Sequence, residues 1–144
     1  RLSAADGKLL LLTKELTLPN GIAFSPDEKT LYVAQSDQKQ AVWYAFPVKS
    51  DGTLGPKHLL ADGTHWTAQP RRNPDGLKVD RHGNVFATGP GGVNIISPEG
   101  VLLGRIHTEK TAANCAFGGD GSMLYITATD CLYRIQTKTR GAGF

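Results

Sequence analysis

Pro19-Asn20-Gly21-Ile22-Ala23-Phe24-Ser25-Pro26-Asp27, running on to Leu31-Tyr32-Val33-Ala34, can be laid over two later stretches of the same chain. The second is Pro74-Asp75-Gly76-Leu77-Lys78-Val79-Asp80 running to Val85-Phe86-Ala87, and the third is Ala113-Asn114-Cys115-Ala116-Phe117-Gly118-Gly119-Asp120 running to Leu124-Tyr125-Ile126-Thr127. Each reads as an alternating strand, a tight turn and a second strand. The starting positions Asn20, Asp75 and Ala113 are spaced 55 and 38 residues apart. That brackets the roughly 40–50 residues of a four-stranded propeller blade.

Outward from these repeats the pattern is all-β. Turn signals stand at Asp6-Gly7, Pro26-Asp27, Asp51-Gly52, His82-Gly83-Asn84, Pro98-Glu99-Gly100 and Gly119-Asp120-Gly121. No window holds the i, i+3, i+4, i+7 apolar spacing of a helix over three turns. The first repeat continues into strands over 41–48 and 57–60, completing four. Residues 1–12 read as a hairpin closing a preceding blade, and 131–136 as a third strand of the last one. The chain is therefore predicted to supply about three blades. Propellers close with about four to eight, so it reads as half a ring, needing the other half or a second copy to cover its faces. Residues 61–73 form a loop predicted to overhang the mouth occupied by Asn20 and Asp75. Trp43 and Tyr44, with Tyr32, Phe24, Phe86, Phe117, Tyr125 and Tyr133, are expected in the packing between blades.

Composition narrows the function classes. Among 144 residues, 16 Lys and Arg against 13 Asp and Glu give +3, and the basic residues are dispersed apart from Arg71-Arg72, which argues against a nucleic-acid partner. The longest aliphatic run, 9–12, falls short of the roughly 20 residues of a membrane span. The sequence opens at Arg1 without a leader pattern, leaving the compartment open between cytoplasm and periplasm or secretion. Cys115 and Cys131 fit no metal or redox spacing and are expected to be buried thiols. His58, His82 and His107 lack any zinc-binding spacing. Gly89-Pro90-Gly91-Gly92 lacks the Walker lysine and reads as a backbone bend near the axis, and no G-x-S-x-G nucleophile elbow occurs.

Asn20 and Asp75 share one register on inner strands, which aim side chains at the central channel. An amide carbonyl and a carboxylate are hard oxygen donors suited to calcium, magnesium or manganese. Asn-Gly and Asp-Gly after proline are also ordinary turn formers at a strand entrance, so spacing alone leaves both roles open. Ala113, at the third register position, supplies no donor.

Four ordered motifs, P-N-G-I-A-F-S-P-D-E-K-T-L-Y-V-A, P-D-G-L-K-V-D-R-H-G-N-V-F-A, G-G-V-N-I-I-S-P-E-G-V-L-L-G-R-I and N-C-A-F-G-G-D-G-S-M-L-Y-I-T, resemble the C-terminal half of the gluconolactonase, senescence marker protein and luciferin-regenerating enzyme family. The resemblance implies a six-bladed β-propeller of which residues 1–144 are the C-terminal half. It also implies one divalent cation in the channel, calcium first and magnesium, manganese or zinc as alternatives, and hydrolysis of a small sugar lactone. By that resemblance Asn20 is a metal ligand, and Asp75 is a metal ligand and the catalytic general base. Independently of the resemblance, His65, Trp66 and Arg71, with Arg72 on the same loop, are candidate substrate contacts or ordinary packed and solvated loop residues, and Asn114, one residue past the ligand register, is a candidate substrate contact or a strand-entry turn residue. The family's remaining acidic ligand lies in the N-terminal half. A non-catalytic binding or scaffold propeller is the competing reading.

Overall fold

The computed structural model describes residues 1–68 and 72–144. Among them lie eleven strands and no helix, so none is long and apolar enough to cross a membrane. Strands β1 (Pro19–Phe24), β2 (Thr30–Asp37), β3 (Gln40–Pro47) and β4 (His58–Asp62) form an antiparallel meander. A second follows with β5 (Leu77–Val79), β6 (Val85–Gly89), β7 (Gly92–Ile96) and β8 (Leu102–His107). The third holds β9 (Ala112–Gly118), β10 (Met123–Ala128) and β11 (Cys131–Gln136). These are three blades of a β-propeller. Residues 1–10 form the expected hairpin, with Ser3 N–H donating to the Lys8 carbonyl and Leu10 N–H to that of Arg1. All six turns fall where their Gly, Asp, Asn and Pro residues place them.

The blades stack through their faces. Because side chains alternate along a strand, Tyr32 and Ala34 of β2, with Trp43 and Ala45 of β3, meet Leu77, Val79, Val85 and Ala87 of the second blade. The intervening Phe86 of β6 points the other way, into a second cluster with Cys115, Leu124 and Ile126 of the third blade. Both faces of the middle blade are thus covered, which is why β6 is apolar at nearly every position. Phe86 and Phe117 meet edge-on, with ring centroids 5.1 Å apart. Burying each large ring contributes about 2–3 kcal/mol.

The predicted aromatic core is only partly assembled. Tyr32, Trp43 and Phe86 are buried between blades, with Phe117 and Tyr133 packed against the second cluster, and Tyr44 is buried on the far side of the first blade, but Phe24 is 49% and Tyr125 37% exposed. Both lie on faces that meet no neighbouring sheet: Phe24 pairs with Leu31 on the far side of the first blade, which Leu16, Val48 and Leu54 cover incompletely, and Tyr125 lies on the outer side of the third. Cys115 is buried as expected, whereas Cys131 at the start of β11 is only half-buried. The Gly89–Gly92 bend is the β6–β7 hairpin turn.

Each inner strand is interrupted at the repeat register. In β1 the pairing shifts between Pro19 and Ile22, and in the third blade it shifts between Thr127 and Ala128, where Ala113 is passed over. In the second blade Asp75 N–H donates to the Thr88 carbonyl while Thr88 N–H donates to that of Gly76, so two residues face one. These bulges sit at Asn20, Asp75 and Ala113. A bulge releases one residue from the ladder and re-aims its side chain.

Candidate active site

The released backbone groups join blade to blade. Gly21 N–H donates to the Asp75 carbonyl at 3.1 Å, and Gly76 N–H donates to the Ala113 carbonyl at 2.9 Å. The wholly buried Thr88 hydroxyl shares its one proton between the carbonyls of Gly76 (2.9 Å) and Ala113 (3.1 Å), tying the second junction. Both junctions need glycine for close approach. A Cβ on Gly21 would stand 2.1 Å from the Asp75 carbonyl oxygen, and one on Gly76 would stand 2.9 Å from the Cα of Asn114.

This stitching sets Asn20 and Asp75 on one cavity of about 530 Å³. Gly63, Thr64 and Trp66 of the loop after β4 line the same space, as do Arg72 and Asn73 just before β5, so these described residues of the predicted 61–73 loop border the cavity, whereas Ala61 and Asp62 belong to β4. Ser36 and Gln38 of the β2–β3 hairpin and Pro90 of the β6–β7 turn complete the wall. Asn20 is exposed to this space. Asp75 keeps 19% of its side-chain surface, and its Oδ2 accepts a hydrogen bond from Nη2 of Arg72 at 2.7 Å.

The loop is held from both blades. Trp66 packs on Trp43 of β3 with centroids 5.6 Å apart and a 34° tilt. The Arg105 guanidinium of β8 lies 5.3 Å over the Trp66 ring, and its Nε donates to Oδ1 of buried Asn94 at 2.6 Å. Asn73 Nδ2 donates to the Ser36 carbonyl at 3.1 Å, fastening the segment before Asp75 to the first blade.

The other predicted contacts are placed differently. His65 is exposed and does not line the cavity. Asn114 is seated over Gly76, its Oδ1 accepting from the N–H of Cys115 at 2.9 Å, and it does not line the cavity either. Arg71 lies outside the described residues. Arg72, Asn73 and Thr88 carry contacts that spacing alone did not assign; the R-N-P-D run at 72–75, opposite charges three apart across a proline, was the available signal for the first.

The donor chemistry fits a hard divalent cation, since a carboxylate and an amide carbonyl face one polar cavity. Two protein oxygens make part of a coordination sphere that takes about six to eight. No group of three or more His, Cys, Asp or Glu arranged to hold a metal occurs among the described residues.

Comparison with known proteins bears on the fold and the family. The sequence model of a family described as "SMP-30/Gluconolactonase/LRE-like region" matches residues 1–130. A gluconolactonase of Zymomonas mobilis is 37% identical over 140 residues, covering 94% of this chain and 39% of its own length. The solved structure of a gluconolactonase from Xanthomonas campestris is 38% identical, with TM-score 0.77, over 91% of this chain and 42% of that one. A calcium-binding protein, regucalcin, from Agrobacterium tumefaciens shares the fold at 23% identity and TM-score 0.76, over 96% and 51% of the two chains. The chain thus spans about two fifths of the length of the gluconolactonases it matches.

Proposed function

Because the chain belongs to the SMP-30/gluconolactonase/LRE-like family, we propose that it supplies half of the active site of a metal-dependent lactone hydrolase acting on a small sugar lactone. The observation that carries this reading is the convergence of Asn20 and Asp75, from neighbouring inner strands, on one cavity. Residues 1–144 are read as the C-terminal half of a six-bladed ring, completed by an N-terminal half or a second copy. The length ratio to the gluconolactonases supports that division.

In this reading the Asn20 amide oxygen and the Asp75 carboxylate hold the cation, calcium in the first instance, with further ligands from the other half. When bound, the ion polarises the lactone carbonyl and stabilises the developing oxyanion. Asp75 accepts the proton of the attacking water. Water oxygen bonds to the carbonyl carbon, the ring C–O bond breaks, and the proton passes to the departing ring oxygen, leaving a hydroxy acid. Trp66, clamped between Trp43 and Arg105, forms a rigid wall against which the sugar ring is positioned. Regucalcin's description as calcium-binding supports the choice of ion.

The test is acid release from gluconolactone by the longest native polypeptide containing Arg1–Phe144, assayed with calcium. Asp75→Asn is expected to lower kcat by about 10²–10⁴-fold, the range of a lost general base. Unchanged turnover in that variant, or no lactonase activity in the parent, refutes the reading.

A further inference from the structure

Among the described ion pairs, Arg72–Asp75 joins the least exposed carboxylate: Asp75 retains 19% of its side-chain surface, against 47–69% for the acids of the other four. Arg72 is also the one side chain among the described residues that donates to that carboxylate. A partly enclosed carboxylate facing a cavity is stabilised by a neighbouring positive charge, and Arg72 provides it.

A divalent cation coordinated by Asp75 would either displace the guanidinium from Oδ2, the oxygen it engages, or take Oδ1 beside it. It would lie within a few ångströms of the guanidinium, where the repulsion between a double and a single positive charge exceeds the net contribution of an exposed ion pair. The two cannot occupy Asp75 together at little cost. Arg72 has somewhere to go: its side chain is 43% exposed and lines the open side of the cavity. The Asp75 main chain stays in place, because its N–H and carbonyl are bonded to Thr88 and Gly21.

We propose that Arg72 is the resident counter-ion of Asp75 and competes with the divalent cation for that carboxylate, weakening cation affinity and making occupancy reversible. The proposal rests on the reading of Asp75 as a cation ligand. With the ion bound, the displaced guanidinium remains on the cavity wall, where an anionic hydroxy-acid product can meet it.

The experiment is calorimetric titration of calcium into the longest native polypeptide containing this sequence, beside its Arg72→Gln, Arg72→Lys and Asp75→Asn variants. Arg72→Gln is expected to lower the calcium Kd by about tenfold, as removal of one nearby positive charge at a partly exposed site should. Arg72→Lys, which keeps the charge and loses the planar fork, is expected to fall between. Tighter binding on losing a side chain is not what damage to a structural residue produces. An Arg72→Gln Kd equal to or weaker than wild type overturns the proposal while leaving the ligand reading intact, provided Asp75→Asn weakens binding. If Asp75→Asn binds calcium as well as the parent does, the ligand reading falls and the Arg72 proposal falls with it.

Discussion

Gly21 donates its main-chain N–H to the carbonyl oxygen of Asp75 across a blade junction, at 3.1 Å. One residue before that donor stands Asn20, and the acceptor residue carries the carboxylate, so a single backbone bond locks two prospective ligands into a fixed relation. Gly21→Ala would push a methyl group to 2.1 Å from that acceptor. The expected result is a stability loss of about 1–3 kcal/mol, typical of overpacking, with a larger fall in lactone turnover than in stability. Gly104→Ala, with nothing within 4 Å of the new Cβ, serves as the neutral control in the same urea titration.

The two thiols should behave differently. Burial pushes the Cys115 thiol up to about 12, and its Sγ sits 3.4 Å from the Phe86 carbonyl inside the interface between the second and third blades. The thiolate is the reactive form, so Cys115 should resist a disulfide reagent at neutral pH. Half-buried Cys131 should react. Native protein is expected to titrate at Cys131 alone, and urea-unfolded protein at both.

Acid should loosen the turns before the blade interfaces. The Ser25 hydroxyl and the Lys29 N–H hold the Asp27 carboxyl below its ordinary value, and Thr53 and Ser122 do the same for Asp51 and Asp120 through their hydroxyls and N–H groups. A carboxylate that binds its proton less readily folded than unfolded adds stability at any pH above the ordinary carboxylate range, and that contribution disappears as pH falls through the lowered folded-state value. Urea midpoints should therefore be flat near neutrality and drop below that range. Asp27→Asn should reduce the size of the drop.

Trp66 gives a prediction about substrate rather than stability alone. Trp66→Ala removes the ring held by Trp43 and Arg105 and opens one wall of the cavity. Because it supplies no oxygen donor to the cavity, KM is expected to rise by about 10-fold or more, the worth of a lost apolar contact, with kcat changed less. Steady-state kinetics on the lactone separates the two parameters.

The repeats made the strands, the turns and the common register of Asn20, Asp75 and Ala113 readable in advance, because Gly, Asp and Pro mark turns by their own conformational preferences and alternation marks faces. The bulges were not readable. Whether a strand is interrupted at Asn20 depends on pairing with β2 and on the Gly21 N–H finding Asp75, neither of which is local. Alternation likewise assigned Phe24 and Tyr125 to faces without revealing what covers those faces. The hydroxyl of Thr88 lies in an ordinary strand stretch, and its two carbonyl partners come from two different blades.

Calcium-soaked crystals of the longest native polypeptide, examined by anomalous scattering, test the account at its root. The predicted result is one peak in the cavity with Oδ1 of Asn20 and a carboxylate oxygen of Asp75 both at about 2.3–2.6 Å from it. A bound ion that engages only one of these residues, or none, would contradict it.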